Sequence, residues 1–117
     1  MKIKHFRFKE NPQWRDSLAT CLNLSMCGNF VFIGYNSGHV DKFNIQSGLF
    51  RGCFGSEDQP AHTGGAIIRG IVSDGLNQIV ITGDNKGLLK FWRFSNHNLL
   101  KGRVEFDSSI RHMVLHR

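Results

Sequence analysis

His112 and His116 stand four residues apart, the spacing at which two imidazoles on one helix face can share a metal ion. Their surroundings, Ile110 to Leu115, read instead as a strand, along which four residues span roughly 13 Å, too far for one ion. Asp41 and Asp84 are the residue type for an acid–base pair, yet they fall in separate hairpins and no spacing pairs them. Cys21, Cys27 and Cys53 contain no C-x-x-C, which excludes a zinc ribbon, a dithiol redox motif and a disulfide framework. An odd, sparse set fits reduced thiols, each acting as a small core residue. Neither G-x-S-x-G nor G-x-x-x-x-G-K-[ST] occurs. The reading is a non-enzyme with no cofactor and no metal.

Charge points elsewhere. The 117 residues carry 15 Lys and Arg against 9 Asp and Glu, a formal charge of +6. Lys2, Lys4, Arg7 and Lys9, less Glu10, supply +3 of it. A basic excess suits polyanions such as RNA and equally suits plain solubility. His5-Phe6-Arg7-Phe8-Lys9 alternates, so a strand would put Phe6 and Phe8 on one face and His5, Arg7 and Lys9 on the other. That basic face is either a solvated outer strand or an edge that contacts RNA phosphates or a protein. Trp14, between Pro12 and Arg15, is either a stacking platform for a base or a residue that packs its segment onto the first sheet. No apolar run approaches the roughly 20 residues of a membrane helix. Met1 to Lys9 has no apolar core of a secretory signal, so membrane and secretion are not expected.

Positioning falls to short strands. Turn signals recur at Cys27-Gly28-Asn29, Asn36-Ser37-Gly38, Gln46-Ser47-Gly48, Asp74-Gly75 and Asp84-Asn85-Lys86-Gly87. Between them, runs of β-branched and aromatic residues predict strands at Leu18–Leu24, Phe30–Tyr35, Val40–Ile45, Leu49–Phe54, Ile67–Val72, Gln78–Thr82, Leu88–Phe94 and about Leu99–Val104. Ile110–Leu115 begins one more. No helix is predicted, because no segment keeps a 3.6-residue period with caps. The second four strands echo the first. Gly34 and Gly83, and Gly38 and Gly87, are 49 residues apart. The turn glycines Gly28 and Gly75 are 47 apart, which places two extra residues within Leu76-Asn77-Gln78. Phe30 and Phe32 point one way and Val31 and Ile33 the other, so the sheets are apolar on both faces and must be sandwiched. A four-stranded unit repeating at this length is the signature of a propeller blade.

Gly87-Leu88-Leu89-Lys90-Phe91-Trp92-Arg93 resembles the G-x-I-x-V-W-D ending of a WD-repeat blade, with Arg93 in place of Asp. Gly38-His39-Val40-Asp41-Lys42-Phe43-Asn44 is its counterpart, and Ala61-His62 resembles the Gly-His that opens a repeat. In the WD-repeat family that His joins a hydrogen-bonded tetrad with Trp, Ser or Thr, and Asp. The resemblance places His62, Thr82 and Trp92 at three of its positions. Lys86 stands where the Asp would be and Asp84 is two residues out of register, so the expectation is a broken tetrad and a weaker tie.

Longer strings are similar to one branch: Glu10-Asn11-Pro12-Gln13-Trp14-Arg15-Asp16, Ser37-Gly38-His39-Val40-Asp41, Asp74-Gly75-Leu76-Asn77-Gln78 and Lys86-Gly87-Leu88-Leu89-Lys90-Phe91-Trp92. They resemble the family of WD repeat-containing protein 36 and yeast small nucleolar RNA-associated protein 21. The resemblance implies an all-β chain, a partial WD-repeat β-propeller at the opening of a second propeller within a longer protein. Its expected organisation is a basic strand and lead-in over 1–17, a first blade over 18–54, a connecting loop over 55–66, a second blade over 67–106 and the start of a third over 107–117. It also implies a nuclear, nucleolar scaffold of the small-subunit processome in ribosomal RNA processing. Partners would be other processome proteins, the remaining blades, and pre-ribosomal or small nucleolar RNA, the last through Lys2, Lys4, Arg7 and Lys9. A stand-alone β-sandwich with a binding role is the alternative.

Overall fold

The computed structural model describes residues 17–55 and 59–105. Within them lie eight strands: β1 (Ala19–Leu24), β2 (Phe30–Tyr35), β3 (Val40–Asn44), β4 (Phe50–Phe54), β5 (Ile68–Ser73), β6 (Ile79–Asp84), β7 (Leu88–Arg93) and β8 (Leu99–Glu105). They form two antiparallel meanders, β1-β2-β3-β4 and β5-β6-β7-β8. Among the described residues no helix is long and apolar enough to cross a membrane. The candidate contacts Lys2, Lys4, Arg7 and Lys9, and also Trp14, His112, His116 and the third-blade start, lie outside the described residues.

The first three strands of the two sheets repeat residue for residue at one offset of 49, from Ala19↔Tyr35 matching Ile68↔Asp84 through to Gly34↔Val40 matching Gly83↔Leu89. The last pair keeps that offset at Phe43↔Phe50 and Trp92↔Leu99 but departs from it by one residue at the other end, where Val40 faces Phe54 and Leu89 faces Val104. Two irregularities repeat as well: a register shift at Ala19/Cys21 recurs at Ile68/Gly70, and one at Lys42/Phe43 recurs at Phe91/Trp92, while a further shift at Leu89/Phe91 belongs to the second sheet alone. This corrects the expectation of two extra residues within Leu76–Gln78. The turn after the first strand of each sheet needs a left-handed backbone at one position, which Gly28 fills between β1 and β2 at φ 78° and Asn77 between β5 and β6 at 55°. Asparagine tolerates that region, so the glycine to match was not Gly75.

The sheets stack through the seam between them. Phe30, Phe32, Val40 and Phe54 of the first meet Ile68, Ile71, Val80, Trp92 and Phe94 of the second, with Ala61 from the connecting loop. Phe32 and Phe94 meet edge to face at 5.7 Å. Burying side chains of this size is worth roughly 1.5–3 kcal/mol each. Val31, Ile33 and Phe43 form a second cluster on the other face of the first sheet, beside Leu24, Tyr35 and Ile45. The outward face of the second sheet, with Ile79, Ile81 and Phe91, is half-buried. The inner strands are also tied by polar bonds: Thr20 Oγ1 donates to the Ile68 carbonyl at 2.6 Å and Asn23 Nδ2 to that of Ile71 at 2.5 Å. Gly34 permits this closeness, since a Cβ there would fall 2.4 Å from Ile68 Cγ2. Cys21 packs against the core and Cys53 is half-buried, but Cys27 is exposed, which corrects the reading of all three as core residues. It sits in the β1–β2 turn, where its thiol bonds with the Ser25 hydroxyl.

Candidate functional site

The seam gathers the polar groups with chemical potential. The loop from β4 to β5 docks on the β2–β3 turn, where the His62 N–H donates to the Gly38 carbonyl at 3.1 Å. A Cβ at Gly38 would meet the His62 carbonyl oxygen at 2.0 Å, so the turn must be glycine for the loop to seat. Seated there, the loop sends the His62 imidazole between the sheets, where it is fully buried.

Thr82 and Asp84 wait for it on β6. Residues two apart on a strand share a face, so both side chains point into the seam. Trp92 lies opposite on β7, through the pair Val80↔Trp92. His62 Nε2 is 2.7 Å from Thr82 Oγ1, His62 Nδ1 is 2.8 Å from Asp84 Oδ2, and Trp92 Nε1–H donates to Thr82 Oγ1 at 2.8 Å. One assignment satisfies every group. The indole N–H donates to the threonine oxygen, the threonine O–H donates to Nε2, and Nδ1–H donates to the carboxylate. The imidazole is then neutral.

This overturns the expectation that the fourth position is lost. Asp84, two residues early by linear count, closes the set, and strand parity is the reason. Its other oxygen, Oδ1, accepts the N–H groups of Lys86 and Leu88 at 2.8 and 3.0 Å, so one carboxylate shapes the turn and anchors the histidine. Lys86 turns outward and its ammonium bonds the Gly64 carbonyl.

The electrostatics agree with a neutral relay. Burial lowers the His62 pKa below its usual 6.5, against the opposing pull of Asp84. Burial alone would raise Asp84, but the N–H of Leu88, the imidazole and the N–H of Lys86 outweigh it and hold the carboxyl below its ordinary 3.8. Thr82-His62-Asp84 has the order of a hydroxyl–imidazole–carboxylate nucleophile triad. Here Thr82 and His62 are fully buried, and the hydroxyl oxygen already accepts the indole N–H. Such a set ties a loop to a core; it presents no nucleophile to a substrate.

Beside the relay a groove of about 430 Å³ runs along the seam, lined among others by Pro60, Ala61, Lys90, Trp92, His97 and Leu99. Lys90 Nζ donates to the Ala61 carbonyl at 2.7 Å and stands 5.8 Å from the Trp92 ring. Two seam residues escaped the sequence reading. Lys42 was an unremarkable strand lysine there, and His97 a turn residue whose only signal was its alignment with Gly48.

The chain matches the WDR36/Utp21 second beta-propeller domain over residues 1–117. It is 47% identical over 102 residues to human "WD repeat-containing protein 36", covering 87% of this chain and 11% of that protein. It is 37% identical over 91 residues to "U3 small nucleolar RNA-associated protein 21 homolog" of Schizosaccharomyces pombe, covering 78% and 10%. The chain thus spans about a tenth of the length of these relatives. Among solved structures, the Cps50 (Swd1) β-propeller domain of Myceliophteria thermophila superposes with a TM-score of 0.68 at 12% identity, covering 82% of this chain and 30% of that one. Its likeness is one of fold.

Proposed function

The chain belongs to the WDR36/Utp21 family, within its second β-propeller domain, and on that premise we propose that it is a non-catalytic scaffold segment acting in ribosome biogenesis. The finer reading places it in the small-subunit processome, in the nucleolus, in maturation of small-subunit ribosomal RNA. The observation that carries this is the membership itself, since a relative bears the name of a U3 small nucleolar RNA-associated protein. The seam supports it: the His, Asp, Thr and Trp that could do chemistry satisfy one another in the interior. What such an architecture offers a partner is shape and rim. Its partners on this reading are the remaining blades of the parent propeller and other processome proteins.

The test is made in the full-length parent. Asp84→Ala and Phe54→Ala should together disrupt these two sheets, lower co-precipitation of U3 small nucleolar RNA and slow small-subunit ribosomal RNA processing. Undiminished co-precipitation and processing, with the two sheets shown to be disrupted, would contradict the scaffold role.

Direct contact with pre-ribosomal RNA is the second reading, favoured by the +6 charge and its concentration at Lys2, Lys4, Arg7 and Lys9. Single-strand affinity should then fall by roughly 0.7 log units per phosphate contact per decade of salt. Replacing all four by Ser should flatten the slope; an unchanged slope would remove them from the contact.

A further inference from the structure

His97 sits in the β7–β8 turn at φ 65°, where the first sheet has Gly48 at 71°. Glycine adopts that backbone freely, whereas a residue with a side chain is strained there. The imidazole nevertheless has a fitted place on the other sheet. It covers Gly52 of β4, where a Cβ would fall 2.3 Å from the ring Cε1, and it meets Phe54 edge to face at 5.0 Å. Alongside, Lys42 of β3 crosses the seam to donate to the Phe94 carbonyl at 2.7 Å, with its ammonium 4.7 Å from the Phe94 ring and 5.2 Å from that of Phe30. The ring atom Nε2 of His97 is buried and has no hydrogen-bond partner.

We propose that His97 is an acid-released latch: as a neutral wedge over Gly52 it holds the outer rim of the seam closed, and on taking up a proton it lets the rim open. A protonated Nε2–H needs an acceptor, and the notch holds none. The charged groups around the ring are Lys42 from β3 and, across the groove, Lys90 from β7. Arg51 of β4 adds to the positive field at Lys42. All of them are cations and oppose a second positive charge. Burial first, then the Lys42 charge, lowers the imidazole to about 4, and burial with Arg51 lowers Lys42 to about 8. For a base lowered on folding, the latch's contribution is complete above the ordinary 6.5 and is lost as pH falls toward about 4. The next outward face lacks the device, because Lys101 and Phe91 stand 49 residues after Gly52 and Lys42.

The test is hydrogen exchange at the β4 amides of the full chain, corrected for intrinsic rates, at pH 7 and pH 5. In the unmodified chain, opening should increase on the order of tenfold across that interval. His97→Gly should open more at pH 7 and lose the pH-dependent increment, although it relieves the turn. His97→Asn keeps a residue that tolerates the left-handed backbone and should do the same. A plain turn residue gives the opposite sign, since glycine then tightens the turn and slows exchange. Slower or unchanged exchange in His97→Gly would overturn the latch. So would an increment that survives in both variants, or a His97 ring titrating near 6.5 by NMR.

Discussion

The two sheets share one backbone and secure the same face by different chemistry. Ile33, Tyr35, Asp41 and Phe43 of the first occupy the positions of Thr82, Asp84, Lys90 and Trp92 in the second. In the first, Val31, Ile33 and Phe43 pack as an apolar cluster, with Phe43 and Phe50 edge to face at 5.6 Å, and the Tyr35 hydroxyl donates to Asp41 at 3.1 Å. In the second, the positions form a hydrogen-bonded relay that is complete only when a loop supplies His62. Apolar packing needs a cover but no particular hydrogen-bond partner. A relay makes the sheet depend on its connecting loop, and so couples the loop's seating on Gly38 to the integrity of the core. One repeat can therefore be repacked locally, whereas the other cannot change without moving the seam.

The sharpest way to break this contrast is Asp84→Ala. It strands the His62 Nδ1–H and the N–H groups of Lys86 and Leu88, and should cost about 3 kcal/mol, because buried donors left unmet carry the desolvation penalty. Denaturant unfolding of the full chain measures it, and a loss below about 1 kcal/mol would place the tie elsewhere. Thr82→Val, close in shape, should follow at about 2 kcal/mol by leaving the indole N–H unpaired. Its mirror in the first sheet, Ile33→Thr, should cost about 1–3 kcal/mol for the opposite reason, an unmatched hydroxyl in an apolar cluster. If either swap proves neutral, the two faces are not specialised as described. The smallest effect belongs to Lys86→Asp, which restores the residue expected from the linear motif. With Asp84 already in place it should change stability by about 0.5 kcal/mol or less, as exposed substitutions do. A gain above about 1 kcal/mol would show the place to be vacant.

Much of this was legible beforehand. All eight strands lie within two residues of their predicted bounds, because glycine and asparagine turns separate runs of β-branched and aromatic residues. The alternation of Phe30 and Phe32 with Val31 and Ile33 already implied a sheet covered on both sides. The relay was half legible: His62, Thr82 and Trp92 were singled out, but Asp84 was discarded by counting along the chain. A carboxylate reaches through space, and the relevant rule was that positions 82 and 84 share a strand face. Asn77 concealed the uniform repeat in a similar way, by doing a glycine's work with a side chain. Lys42 gave no signal and His97 only its alignment with Gly48, since their roles exist only once β3, β4 and the β7–β8 turn meet.

The relay also has a pH signature with a definite sign. The His62 pKa is lowered from 6.5, so its share of stability is present above that value and is lost as pH falls below it. Asp84, lowered from 3.8, keeps its share down to that value and loses it in stronger acid. The second sheet should therefore loosen in acid through its histidine before its aspartate.

The most direct test is the protonation state of His62, read from its ring nitrogens by NMR. The relay predicts a neutral ring at pH 7 with the proton on Nδ1, facing Asp84, and a titration displaced below 6.5. A proton on Nε2, or an ordinary titration near 6.5, would contradict it.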